Sequence, residues 1–454
     1  MVLALLLLAG LADQVPMRWP SGDPKSLELL SETPVNCILL EQSSWSPELA
    51  AEASRREVAT MGVIRPDADP IEAAQKALGL KLTGIVLEGD FSDDIAARLR
   101  ALAADRKAVL VELPRLAKIR ITGQPVIGTF QGVWPGIQIE EDGEAHAAPT
   151  GGPWINTNTG FLRYLHAAAP DSTIWIANTP PPGTVFPAER YLQAIGDAAI
   201  NGARWVVALD ADLSKRLIDR ESTAVRDWKR IAEHLRFYEE HAGWRELQPA
   251  GQLALVQALD RGALVAGGIL DMIAVKHTPV RPVPGSVLSD ERMKGAKMAV
   301  DVDPTVLTDE QKEVLRRFTR SGGTLLNGPP GWQFTPVAEN EITIHKDDVA
   351  KLDAIWKDVN AMTGRRNLGV RLFNVSSMLS NLLGTSGSSR LVLHLVNYTS
   401  YPVENITAHV LGSYKTAVLY SPGHPPKKLA PYPIEEGTGL DIDQMESLAT
   451  IVIE

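Results

Sequence analysis

Eight short apolar runs separated by amphipathic stretches fill residues 33 to about 245, and this alternation constrains the fold more than any other feature. The runs are 35–41, 58–64, 84–90, 108–113, 125–131, 153–157, 173–179 and 203–210. Each is nearly continuous in Val, Ile, Leu and Ala, the composition of a parallel strand covered on both faces. Between them, 92–104 and 187–201 carry helical patterns, and Ser92 ahead of Asp93 and Asp94 is a capped, acidic helix start. The spacing predicts an α/β fold, a (β/α)8 TIM-type barrel over 33–247, with a doubly wound open sheet as the rival.

In a barrel of parallel strands every C-terminal end opens onto one face, where a ligand site is built. Polar residues recur where the runs end: Glu41, Glu88, Asp90, Glu112, Gln131, Asn156, Asn158, Asn178, Asp210 and Asp212. Helix capping accounts for some, because Asp, Asn and Ser favour such loops. Recurrence at nearly every strand end points to a site.

The chain has 454 residues, too many for one core, and the pattern changes twice more. Over 248–335 strand and helix patterns alternate on a smaller scale, as in a flavodoxin-like α/β domain. Thr308 with Gln311 forms a capping box there, and Gly322-Gly323 supplies the helix stop before the strand Thr324–Asn327. A helical linker over 336–366 leads to short strands and Gly/Pro/Ser/Asn turns over 367–454, the pattern of a β-sandwich.

Net charge is −10 with a pI near 5.5 and no Lys/Arg-rich run, which argues against a nucleic-acid partner. A neutral ligand such as a sugar fits this balance, and ten Trp supply flat apolar faces that each carry an N–H donor. The one cysteine, Cys37, sits in an apolar run and reads as a buried thiol. No cofactor or metal motif occurs: the Gly-x-Ser-x-Gly elbow, a phosphate loop with Lys and His-Glu-x-x-His are all absent. Residues 1–12, MVLALLLLAGLA, are too short to span a bilayer and match a signal-peptide core. The expectation is a secreted or periplasmic protein with no membrane span in its mature part. Asn374, Asn397 and Asn405 begin Asn-x-Ser/Thr sequons, which matter only if the source glycosylates what it exports.

Several stretches carry a family likeness. Gly322-Gly323-Thr324-Leu325-Leu326 after an amphipathic helix looks like the middle domain of the family 42 β-galactosidases. Leu391–Tyr398 (LVLHLVNY) looks like the sandwich start in several glycosidase families, and 130–136 and 153–158 resemble sugar-binding barrel loops. The order of domains resembles those enzymes too. The resemblance implies a glycoside hydrolase-like protein with a carbohydrate ligand and an oligomer contact in the middle domain. Those enzymes resemble one another in an Asn-Glu pair ending strand four and a Glu ending strand seven. Counting from 35–41, strand four here ends in Val111-Glu112-Leu113-Pro114 and strand seven in Ala177-Asn178-Thr179, so the pair is not carried over. Middle domains of this shape also resemble class I glutamine amidotransferases, whose cysteine has no counterpart here.

Glycoside hydrolysis uses one carboxylic acid and a second carboxylate as nucleophile or base. Glu112 is the first candidate, with Glu88, Asp90 or Asp210 as its partner. Glu41, Gln131, Trp134, Trp154, Asn156, Asn158 and Asn178 are candidate sugar contacts through amides, a carboxylate and indole faces. Trp134, next to Pro135-Gly136, is the expected stacking residue, whereas Trp175 lies within a strand and reads as core. Three readings stay open: an exported glycoside hydrolase, a catalytically inactive glycan-binding or structural protein on the same scaffold, and a barrel enzyme with another substrate.

Overall fold

The computed structural model describes residues 10–67, 69–115, 118–121, 123–139, 151–257, 277–328, 349–384 and 389–454. Most of the N-terminal apolar run and residues 258–276 of the expected flavodoxin-like stretch lie outside the described residues. The chain forms two compact units. Met1–Trp134, Asp171–Tyr191 and Ala203–Glu240 make the first; Pro135–Pro170, Leu192–Gly202 and His241–Glu454 make the second.

The first unit is α/β with parallel strands. A five-stranded sheet runs β1 (Pro16–Arg18), β2 (Cys37–Leu40), β3 (Ala59–Ile64), β4 (Gly84–Glu88), β5 (Val109–Leu113) in that order. β6 (Val126–Thr129), β9 (Thr173–Ile176) and β10 (Ala203–Trp205) form a second parallel sheet in the order β10-β9-β6. The expected strand at 153–157 is not among them. Instead, β7 (Gly136–Ile137) and β8 (Ile155–Asn156) pair antiparallel within the second unit. The eighth parallel strand is β1, only three residues long and too short to show a period. Met17 joins Val207 in an isolated parallel bridge, which links the two sheets on one side. No hydrogen-bonded ladder joins β5 to β6 among the described residues, so the ring of strands is open there.

Helices α1 (Pro47–Arg55), α2 (Pro70–Gly79) and α3 (Asp93–Asp105) connect β2 through β5 in sequence. Each starts on a side-chain cap: Ser46 accepts from Leu49 N, Asp69 from Ile71 N and Glu72 N, and Ser92 from Ile95 N. Side chains from both sheets meet in one buried cluster: Cys37 and Leu39, Ala59, Met61 and Val63, Val86, Val109, Val111 and Leu113, Val126 and Trp175. These residues define the inner face of the unit. Cys37 is completely buried there, which pushes its thiol pKa far up and leaves it inert. Leu11, from the N-terminal run, joins the same cluster.

The second unit contains α4 (Thr159–Ala168), buried along almost its whole length, and most of α5 (Ala188–Ala199). The first unit continues with α6 (Ala211–Ile218) and α7 (Ser222–Glu240). In the second unit β11 (Gln248–Pro249) precedes a parallel sheet of β12 (Leu253–Gln257), β13 (Val280–Pro284), β14 (Met298–Asp301) and β15 (Thr324–Asn327), ordered β13-β12-β14-β15. The Thr308–Gln311 capping box starts α8 (Asp309–Arg320), and Gly322 takes the left-handed φ of 96° just past its end. α9 (Val349–Thr363) follows.

The remaining strands are antiparallel. They are β16 (Val370–Phe373), β17 (Met378–Gly384), β18 (Leu391–Asn397), β19 (Val403–Leu411), β20 (Ala417–Ser421), β21 (His424–Leu429), β22 (Tyr432–Ile434), β23 (Gly437–Met445) and β24 (Leu448–Ile453). One sheet is ordered β11-β17-β18-β24-β20-β21 and the other β16-β19-β23-β22. Alternate residues of both, from Val370 to Ile453, share a single core, as the period of two requires.

Candidate functional site

The inner cluster fixes which strand-end side chains face inward, because side chains alternate along a strand. Cys37 and Leu39 point inward, so Glu41 follows them; Ala59, Met61 and Val63 are followed by Arg65; Val86 is followed by Glu88. β1 adds Arg18, paired in register with Leu39. The ends of four neighbouring strands thus bring two acids and two arginines together.

The four form a closed charge cluster. Arg65 holds Glu41 by two bonds, Nη1 to Oε2 at 2.6 Å and Nη2 to Oε1 at 2.8 Å. The same guanidinium donates to Glu88 Oε1 from Nη2 at 2.9 Å and from Nε at 3.2 Å. Arg18 donates to Glu88 Oε2 and lies 3.8 Å from Glu41. The Arg65 hydrogen bonds hold the Glu41 carboxyl below its ordinary range and push the Arg65 pKa up. Glu88 is nearly buried, with 9% of its side chain exposed, whereas Glu41 is 47% exposed. Both acids are therefore fixed as ion-pair partners, and the Arg65 guanidinium lies between their carboxylates.

The other candidate acids are elsewhere. Glu112 alternates with the inward Val111 and Leu113, so it faces the helix layer. There Arg100 of α3 grips it through Nε at 2.5 Å and Nη2 at 3.0 Å. Asp90 accepts from Arg115 N at 3.1 Å and lies within 3.5 Å of Arg115 and Lys118. Both acids line a cleft of about 460 Å³ on this outer side, shared with Phe91, Ser92, Arg100 and Lys118. Asp210 caps α6, accepting from Leu213 N at 2.8 Å and Phe186 N at 3.1 Å. It also accepts from Tyr191 Oη, and burial with that bond raises the Tyr191 pKa. Among the described residues no group of His, Cys, Asp and Glu is arranged to hold a metal.

At the ends of β6, β9 and β10 the first unit builds an aromatic group. Trp134 stacks on Phe186 with centroids 4.7 Å apart and planes 4° apart; Tyr191 and Trp205 meet it edge-on at 5.6 Å. Asn178 donates through Nδ2 to Val133 O at 2.6 Å. The indole Nε1 atoms of Trp134 and Trp205 and the Oδ1 of Asn178 are buried without a protein hydrogen-bond partner. Buried polar atoms are rarely left so, and these three are two donors and one acceptor in one region of the fold. Gln131 is buried beside them in sequence, its N bonded to Thr129 Oγ1 at 3.1 Å.

Three of the expected sugar contacts fall in the second unit. Trp154 is core, packed with Leu253, Leu255, Val280 and Met298. Asn156 pairs with Gly136 in the short antiparallel ladder. Asn158 serves the buried Asp197, donating to Oδ2 from N at 3.0 Å and from Nδ2 at 2.8 Å. Thr157 and Tyr398 also donate to Asp197, making it the centre of a buried polar knot.

Arg18, Arg65, Phe186, Tyr191 and Trp205 were not foreseen. Arg65 directly follows the run 58–64, so the signal used for the acids, a polar residue at a strand end, would have found it.

No protein-family model matches the chain, and no curated protein sequence does. Solved structures do. An alpha-L-fucosidase isoenzyme 2 from Paenibacillus thiaminolyticus superposes with a TM-score of 0.61 at 12% identity, over 98% of this chain and 99% of that one. A beta-galactosidase from Rahnella sp. R3 superposes with a TM-score of 0.55 at 8% identity, over 97% of this chain and 98% of that one. The chain has a glycoside hydrolase-like fold.

Proposed function

We propose that this protein binds a neutral carbohydrate at the C-terminal ends of its parallel strands and does not cleave it by the two-carboxylate route. In this reading the eight parallel strands act as a (β/α)8-type barrel, followed by flavodoxin-like and β-sandwich modules. The observation that carries the proposal is the placement of Arg65. Hydrolysis requires one carboxyl able to hold a proton and a second free to approach the sugar or a water. Arg65 takes both oxygens of Glu41 and one of Glu88, whose other oxygen accepts from Arg18, so neither inward carboxylate is free of an arginine. Glu112, Asp90 and Asp210 are committed to Arg100, to Arg115 and Lys118, and to a helix start.

Sugar recognition is supported by the aromatic group. A pyranose offers C–H faces to rings, and Trp134 and Phe186 are the part-exposed rings of this group, while Trp205 and Asn178 are buried. Export belongs to the proposal, on the apolar run at residues 1–12. The test is calorimetric titration of the full chain with a panel of neutral oligosaccharides, beside Trp134→Ala. Removal of the indole is expected to weaken binding by about tenfold, the worth of a good aromatic contact. Absence of binding to every oligosaccharide, or equal binding by the variant, would overturn it.

One observation favours hydrolysis instead. With Pro16–Arg18 counted as the first strand, Glu88 and not Glu112 ends the fourth, the position where the family 42 enzymes carry an acid. The residue before it is Leu87 rather than Asn, and the seventh strand is followed by Ala177-Asn178.

A further inference from the structure

The outer face of the four-stranded antiparallel sheet carries a strip of rings that the core does not use. Register fixes its layout. Arg371 of β16 pairs with His409 of β19, His409 with Gly439 of β23, and Gly439 with Tyr432 of β22. The adjacent outward row is Phe373, Thr407 and Asp441. The intervening residues Leu372, Ala408, Leu440 and Ile442 point into the core, so both rows belong to the opposite face.

The rings are held in place. A Cβ on Gly439 would lie 2.2 Å from the Tyr432 ring, so that ring lies over the bare glycine backbone. Asp441 Oδ1 fixes it, accepting from Tyr432 Oη at 3.1 Å and from Thr407 Oγ1 at 2.9 Å. Phe373 is 36% exposed, its centroid 4.6 Å from His409, with the Arg371 guanidinium 5.6 Å from its own. A cross-strand ring over glycine stabilises a sheet by itself, but that role asks nothing of Phe373 at the other end of the strip.

We propose that this face is a second glycan-binding surface, taking a neutral polysaccharide chain across the strands. It extends the proposed function and does not rest on it. Charges of both signs interrupt the strip, with Arg371 in one row and Asp441 in the next. With charges of both signs on one small face, neither a polyanion nor a polycation is matched by it. A polyhydroxylated neutral chain satisfies rings and polar groups alike. Three inter-strand gaps give the strip a span of roughly 14 Å, enough for a short run of sugars and not for one alone.

The test is affinity electrophoresis of the full chain through gels containing starch, xylan, mannan, galactan or a β-glucan. Phe373→Ala/Tyr432→Ala is run beside Trp134→Ala, the variant of the strand-end site. The expected result is retardation by at least one polymer, weakened about tenfold or more in the double variant and retained in Trp134→Ala. Retardation lost only in Trp134→Ala, retained in the double variant, or absent with every polymer would overturn the second surface. Oligosaccharide titration reports separately on the strand-end site. If the double variant unfolds at a lower temperature, Phe373→Ala alone carries the comparison, since Phe373 holds no hydrogen-bonded partner in place.

Discussion

Leu87 pairs with Glu112 and Glu88 with Leu113, so the two acids on adjacent strands stand one row apart and face opposite sides of the sheet. That single step separates an inward carboxylate under two arginines from an outward one tied to α3. Glu112→Gln should lose one charge-assisted pair at a part-exposed site, a cost of about 1 kcal/mol or less. Urea unfolding should register that loss while oligosaccharide affinity stays at the wild-type value; a lost affinity would return Glu112 to the site. Glu41 gives a pH signature. Its folded-state pKa is depressed below the ordinary 4.5, so its contribution is present above that value and disappears as pH falls through the folded pKa. The stability gap between the wild type and Glu41→Gln should therefore be present at about pH 7 and close below about pH 4, with a modest size because Glu41 is half exposed. A gap that widens with acid would contradict the ion pair. Sequence alone located Glu41, Glu88 and Asn178 at strand ends. It could not tell inward from outward, because strands buried on both faces show no alternation.

At the scale of elements, continuous apolar runs identified seven of the eight parallel strands of the first unit, with ends off by a few residues. β1 escaped because three residues carry no pattern, and 153–157 misled because an apolar Pro-Trp-Ile run serves equally in a short hairpin. The capping box of α8 was legible outright, since its donors and acceptors are local in sequence. Glycine within a strand was a signal left unread. Gly128 of β6 pairs with Trp175 of β9, and a Cβ there would lie 2.1 Å from Trp175 O and 2.9 Å from Leu113 Cδ2. Gly128→Ala should accordingly force these strands apart and destabilise the protein by about 1–3 kcal/mol, the usual range for overpacking. Thermal unfolding would detect it, and an unchanged transition would mean that the β6–β9 approach is looser than described.

Across the whole molecule the two units are not consecutive in sequence: segments 135–170 and 192–202 leave the first unit for the second. A linear reading assigns them to one domain because neighbours in sequence are the only neighbours it has. Asn158, expected as a sugar contact, belongs to the Asp197 knot for that reason. The fold is that of glycoside hydrolases, yet folds host many functions, and function must be argued from the site. In the proposed reading the strand ends meet a sugar through their rings, and arginines hold the inward acids Glu41 and Glu88. The most direct test incubates the full chain with the oligosaccharide it binds most tightly and follows new reducing ends over time, beside Glu88→Gln. The expected result is a bound, intact sugar with reducing ends at the level of buffer in both samples. Protein-dependent release of reducing ends that is lost in Glu88→Gln would contradict the account and make Glu88 a catalytic carboxylate.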